Sequence, residues 1–152
     1  CVYGSGPSDY FNRQDVRDSL HIETNQTWEL CTERISYNSG EKGSYWIYPI
    51  LKQAGVRAMH FSGNADGAVP TQGTRDWMET LNWKKTALYA PFYIENKQVG
   101  GFVEEYDGIT FVSIQGVGHM AAQWSPVATK HAVYSFINSQ LIANHEQHFE
   151  TE

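Results

Sequence analysis

Two short glycine-bearing loops constrain this chain more than any other feature: Ser62-Gly-Asn-Ala-Asp66-Gly-Ala-Val-Pro70 and Gln115-Gly-Val-Gly-His119-Met-Ala-Ala-Gln-Trp124. Each follows an apolar run that reads as a buried strand, Val56 to Phe61 before the first and Ile109 to Ile114 before the second. Asp66 and His119 stand 53 residues apart, too far for local structure to join them. Only a sheet that brings both strand ends to one edge can do so, and in an open α/β sheet that edge is where functional side chains collect. The pattern predicts an α/β fold with the two loops side by side.

An Asp followed by a His is two thirds of a hydrolase triad. On an α/β sheet the order is Ser, then Asp or Glu, then His, with the Ser in a Gly-x-Ser-x-Gly turn. No such turn occurs in the 152 residues, so the nucleophile is expected on another chain. His is the side chain whose ordinary pKa lets it accept and return a proton near neutrality. A buried Asp on its other nitrogen fixes the tautomer and stabilises the imidazolium. The bland alternative makes Asp66 a turn residue before Gly67 and His119 a strand-end His bonded to backbone. His21, His60, His131, His145 and His148 lack comparable context and read as structural or exposed.

A chain of this length, 41% apolar and 18% charged, can bury a core of its own. Its formal charge of −6 and pI of about 5.5, with no Lys/Arg cluster, repel a phosphate backbone, so nucleic acid is excluded as a partner. No signal-peptide pattern is present and no apolar run is long enough to span a membrane. The start at Cys1 rather than Met leads to the expectation of a processed precursor's later part. Cys1 and Cys31 permit one internal disulfide, two bonds to another chain, or free thiols. Asn25-Gln26-Thr27 is a glycosylation sequon, which together with the processed start points to the secretory route. Cys-x-x-Cys and His-Glu-x-x-His are absent, so a zinc site has no support and no metal is expected.

In chain order, Cys1 to Tyr10 reads as a Gly/Ser/Pro loop, and Asn12 as the cap of a helix Arg13 to Leu20 that packs through Val16 and Leu20. Tyr37 to Ser44 is a polar connection. A helix around Trp46, Ile47, Ile50, Leu51 and Ala54 stops at Gly55. Thr71 caps a helix through Leu81, with Trp77, Met78 and Leu81 as core. Asp107-Gly108 predicts a hairpin before the last strand, Ile109 to Ile114. Ser125-Pro126 opens the final helix, whose expected buried stripe is Val133, Phe136, Ile137 and Leu141, and residues 145–152 are expected to fray.

The two loops, Gly100-Gly101 before the hairpin, Asn12 through His21, and Trp28-Glu-Leu-Cys31 together resemble the serine carboxypeptidase-like family of α/β-hydrolases, in order and over nearly the whole chain. The resemblance implies the C-terminal half of one α/β-hydrolase domain, with a central mixed, mostly parallel sheet and flanking helices. It also implies a B chain spanning residues 1–152, completed by a separate A chain from the same precursor. On this reading Asp66 is the triad acid and His119 the base, and the A chain supplies the Ser. Cys1 and Cys31 both bond to A-chain cysteines, and the heterodimers can pair again. Met120, Trp124 and Asn64 are the expected substrate-binding residues.

The chain departs from the family's peptidases at Asn64, where Asp is usual, at Ala121-Ala122, where Val-Pro is usual, and in Tyr37 to Trp46, which lacks a Trp-x-Asp-Ser pattern. The family contains exopeptidases, acyltransferases that use glucose esters, and a branch that splits aromatic cyanohydrins in cyanogenic plants. A kept His–Asp pair beside altered walls most resembles the cyanohydrin branch. That implies cofactor-free cleavage of 4-hydroxymandelonitrile to 4-hydroxybenzaldehyde and hydrogen cyanide, in a vacuolar or extracellular protein. The base there is His119 or a carboxylate of the A chain. A serine carboxypeptidase, an acyltransferase and a non-catalytic binding domain are the alternatives.

Overall fold

The computed structural model describes residues 5–38, 40 and 43–144. Cys1, His145, His148 and the tail expected to fray lie outside the described residues. The chain divides into two units, Cys1–Glu41 and Lys42–Glu152.

The first unit is organised by Asn12. Helix α1 (Ser5–Phe11) occupies much of the stretch read as a loop, because Pro7 falls in its first turn, where a missing N–H costs nothing. Helix α2 (Gln14–Ser19) follows, but Arg13, not Asn12, holds its N-cap position. The Asn12 amide is engaged elsewhere: Oδ1 accepts the Trp28 N–H at 2.7 Å, and Nδ2 donates to Trp28 O at 2.9 Å and Ser8 O at 2.8 Å. Arg17, rather than Val16 or Leu20, is the residue α2 buries, since its guanidinium donates to the carbonyls of Thr24 and Gln26. Phe11 packs on Trp28 with ring centroids 4.9 Å apart. Asn25 and Cys31 are exposed, and the Cys31 thiol is free among the described residues.

The second unit is built on one sheet. Helix α3 (Ile47–Gln53) ends as expected at Gly55, whose φ of 70° closes the turn. Gly55 N–H bonds Lys52 O and Val56 N–H bonds Leu51 O, the paired bonds of a Schellman stop. The strands are β1 (Ala58–Gly63), β2 (Lys85–Ile94), β3 (Gln98–Tyr106) and β4 (Ile109–Ile114), in the order β1-β4-β3-β2. β1 and β4 run parallel and the other two pairings are antiparallel, so the described sheet is mixed but not mostly parallel. Gly108, with φ 124°, makes the expected hairpin between β3 and β4.

Alternation along β4 divides the core between the two faces. Ile109 and Phe111 join Met78 and Trp77 of helix α4 (Thr71–Glu79) and Tyr106. Val112 and Ile114 join Phe92, Val103, and the residues of α5 (Ala121–Trp124) and α6 (Pro126–Ile137). Helix α6 starts at Pro126 as predicted, but its buried stripe is Ala128, Thr129, Ala132 and Ser135. Ile137 is exposed and Leu141 is 81% exposed, whereas Ile142 is 2% exposed. Small residues let this helix lie close to the sheet, and its larger apolar side chains are left on the flanks and outer side.

Candidate active site

Parallel pairing of β1 with β4 sets Ser62 opposite Ser113 and Gly63 opposite Ile114, so both strands end at the same edge. The loops that follow, 64–70 and 115–120, therefore leave the sheet side by side. Backbone bonds zip them together: Asn64 N–H to Ile114 O and Ala65 N–H to Val117 O, each at 2.9 Å. Gly63 permits the approach, because a Cβ there would stand 2.3 Å from the carbonyl oxygens of both Val117 and Gly118. Asn64 adds a side-chain bridge, with Oδ1 accepting Gly116 N–H at 2.8 Å and Nδ2 donating to Gln115 Oε1 at 2.6 Å.

This packing brings Asp66 and His119 into contact, with Oδ2 and Nδ1 3.0 Å apart. The acid's two oxygens divide the work. Oδ1 accepts the N–H groups of Ala68 at 2.8 Å and Val69 at 3.0 Å, an Asx-type turn, which leaves Oδ2 aimed at the imidazole. The turn-residue reading of Asp66 is thus realised through Oδ1, while Oδ2 pairs with His119. The Val69 N–H, then the His119 ring, then the Ala68 N–H hold the Asp66 carboxyl below the ordinary carboxylate range, outweighing desolvation. Its side chain is 5% exposed while that of His119 is 60% exposed. With Nδ1 on Asp66, Nε2 is the nitrogen left to exchange a proton with a reacting group.

A cavity of about 190 Å³ adjoins the pair, lined by His60, Phe61, Val69 and Ala121 as well as by Asp66 and His119. Burial lowers the pKa of His60, whose ring sits edge-on to Trp77. Neither Asn64, Met120 nor Trp124, expected on substrate, lines this cavity. Trp124 is 58% exposed and its ring edge lies over Gly118, where an added Cβ would meet it at 3.3 Å. The residues that sequence reasoning missed support the loop. Thr71 does not cap α4 with its side chain but donates Oγ1 to Gly63 O at 3.0 Å and lies 3.0 Å from Ser62 Oγ. The sequence signal for it is a Thr placed just after Pro70, where the loop must be tied back to its strand. Among the described residues no serine or cysteine hydrogen-bonds His119, and no group of three or more His, Cys, Asp or Glu that could hold a metal occurs.

Comparison with known proteins agrees with this geometry. The sequence model of the serine carboxypeptidase family matches residues 1–139. Among curated relatives, serine carboxypeptidase-like 33 of Arabidopsis thaliana is 35% identical over 143 residues, which are 91% of this chain and 30% of that protein. Serine carboxypeptidase-like 26 of Oryza sativa subsp. japonica is 32% identical, over 91% of this chain and 30% of its own length. A crystal structure of Kex1(delta)p, a prohormone-processing carboxypeptidase from Saccharomyces cerevisiae, superposes with a TM-score of 0.68 at 21% identity, covering 91% of this chain and 32% of that one. The likeness places the mixed sheet and its helices in the α/β-hydrolase fold. This chain spans about 30% of the length of those two relatives. A family match over most of the sequence, with a His–Asp pair at the adjacent ends of two parallel strands, establishes that the chain belongs to the serine carboxypeptidase family.

Proposed function

We propose that this chain supplies the acid–base half of a serine carboxypeptidase active site, releasing C-terminal residues from peptides. The observation that carries it is the 3.0 Å contact between Asp66 Oδ2 and His119 Nδ1, with the acid fixed by two backbone N–H groups. The serine comes from polypeptide outside this sequence. His119 Nε2 takes its proton as the hydroxyl attacks the scissile carbonyl, and returns that proton to the departing amine; Asp66 stabilises the imidazolium in between. Two of the residues that depart from the family's peptidase pattern have structural work to do, which supports this reading: Asn64 joins the loops and Ala121 is buried in the core.

The partner is a disulfide-linked A chain bonded through Cys1 and Cys31, and the mature protein, glycosylated at Asn25, lies in the vacuole or outside the cell. The exposed Cys31 thiol in the first unit supports the bond to a further chain, and in the second unit the exposed Ile47 and Ile50 of α3, which buries none of its residues, support a further packing surface. No helix of the described residues is long and apolar enough to cross a membrane.

Cleavage of an aromatic cyanohydrin is the second reading, favoured by the exposed indole of Trp124, whose ring edge lies over Gly118, the residue before His119. There the base takes the hydroxyl proton as the carbon–carbon bond breaks, and cyanide leaves with a proton from a second donor. Incubating the intact protein with a blocked dipeptide and, separately, with 4-hydroxymandelonitrile at mildly acidic pH distinguishes the two. Release of the C-terminal residue without aldehyde above the blank is expected. Aldehyde without peptide cleavage overturns the peptidase reading in favour of the lyase.

A further inference from the structure

One side chain joins the two loops and takes no part in the proton transfer. Asn64 accepts from the backbone of Gly116 through Oδ1 and donates to Gln115 through Nδ2, two roles that an amide fills on separate atoms at every pH. The backbone beside it is already committed, Asn64 N–H to Ile114 O and Ala65 N–H to Val117 O. Gly116, at φ 73°, takes the left-handed turn from which its N–H reaches Asn64. These four bonds fix residues 64–65 against 114–117, and Asp66 and His119 emerge immediately beyond them. A shift of one loop along the other would therefore move both members of the pair.

We propose that Asn64, together with Gln115, is a positioning residue for the acid–base pair: a neutral amide clamp that holds the His119 loop in register with the Asp66 loop and does not loosen in acid. This rests on the reading that His119 and Asp66 perform the proton transfer. The titratable groups on the clamped loops are Asp66 and His119, and β1 beneath them carries His60. Nothing in the clamp itself titrates. A carboxylate at position 64 can keep the Gly116 bond and accept from Gln115 after that amide turns over. Protonated, it still accepts from Gly116 and gains an O–H donor for Gln115, so a carboxyl there holds both bonds in either form.

The test uses the complete enzyme, with whatever chain completes it, as wild type, Asn64→Ala, Asn64→Asp and Gln115→Ala. Two readouts are taken: kcat and KM on a blocked dipeptide across the acid range, and the rate at which diethyl pyrocarbonate labels His119, read by peptide mass spectrometry without turnover. Asn64→Ala is expected to lower kcat roughly 10- to 100-fold with little change in KM, as displaced catalytic groups do. His119 labels faster because Nδ1 is no longer held by Asp66. Asn64→Asp restores both, because a carboxyl can make the Gly116 and Gln115 bonds whether or not it is protonated. Wild-type kcat, labelling and pH profile in Asn64→Ala overturn the clamp, and so does a change in KM alone, which makes Asn64 a substrate contact. If Asn64→Ala does not fold, Gln115→Ala carries the test, and wild-type kcat with wild-type labelling of His119 in that variant overturns the clamp. His119→Ala run in parallel separates the failures: normal turnover there overturns the acid–base reading itself, whereas lost turnover beside an unaffected Asn64→Ala overturns only the clamp.

Discussion

Adding one methyl group at Gly63 probes the loop packing with the least chemical change. In Gly63→Ala the new Cβ would lie 2.3 Å from Gly118 O, 2.3 Å from Val117 O and 2.7 Å from Val117 C. These are backbone atoms, so no side-chain rotation relieves the overlap. Restoring ordinary contact requires the two segments to part by about 1 Å. Overpacking of this kind costs about 1–3 kcal/mol of stability. The functional cost is larger, because Asp66 Oδ2 and His119 Nδ1 are 3.0 Å apart and a further ångström breaks the bond. A misplacement of about 1 Å lowers turnover on the order of 100-fold. The assay is kcat/KM on a blocked dipeptide with the complete enzyme, beside its thermal unfolding midpoint. A folded Gly63→Ala enzyme with wild-type kcat/KM and Tm would refute the claim that this glycine sets the pair's spacing.

Three further outcomes follow from the same geometry. Asp66→Asn keeps the shape but presents an amide to Nδ1, favouring the wrong tautomer, so kcat should fall on the order of 10⁴-fold with little change in KM; near-normal kcat would remove Asp66 from the proton relay. Because Asp66 is held below the ordinary carboxylate range, it binds a proton less readily folded than unfolded. The stability it contributes is complete above that range and is lost as the pH falls through the depressed value, so Tm should drop more steeply in acid for wild type than for Asp66→Ala. Parallel acid profiles would contradict the assignment. Glu104 is 2% exposed, and although burial pushes its carboxyl up, Lys85, Tyr106 and Arg75 outweigh that and hold it down. Glu104→Gln removes the carboxylate that Arg75 pairs with and leaves Lys85 only Glu79, at 3.7 Å, and should cost about 1–3 kcal/mol in denaturant unfolding; an unchanged midpoint would show that the cluster adds nothing.

The parts of this fold legible in the sequence are those whose causes are local. Gly55 and Gly108 mark a helix stop and a hairpin because each occupies a positive φ that the turn demands. The two loops were legible for a different reason: apolar runs ahead of them announced strands, and an Asp and a His at their ends restricted the topology. Helix α6 resisted because it is apolar on several sides. Val127 and Ile137 are exposed while Ala128 and Ala132 are buried, so periodicity fixed the period and left the phase open. Asn12, Thr71 and Ser125 all stand where a cap is expected, yet no side-chain cap bond forms at any of the three helices. Other partners take the first two: Asn12 Oδ1 accepts the Trp28 N–H, and Thr71 Oγ1 donates to Gly63 O. At the site, the pairing of Asp66 with His119 is legible, but the bridge from Asn64 to Gln115 joins residues 51 apart and has no local signature.

The central claim is that this chain contributes the base and its acid partner, and His119→Ala in the complete enzyme tests it most directly. Turnover of a blocked dipeptide by that variant should fall on the order of 10⁴-fold or more. Its unfolding midpoint should stay near the wild-type value, because the ring is largely exposed and its one described hydrogen bond is to Asp66. A folded His119→Ala enzyme that keeps a substantial part of wild-type turnover would contradict the account and place the proton relay outside this chain.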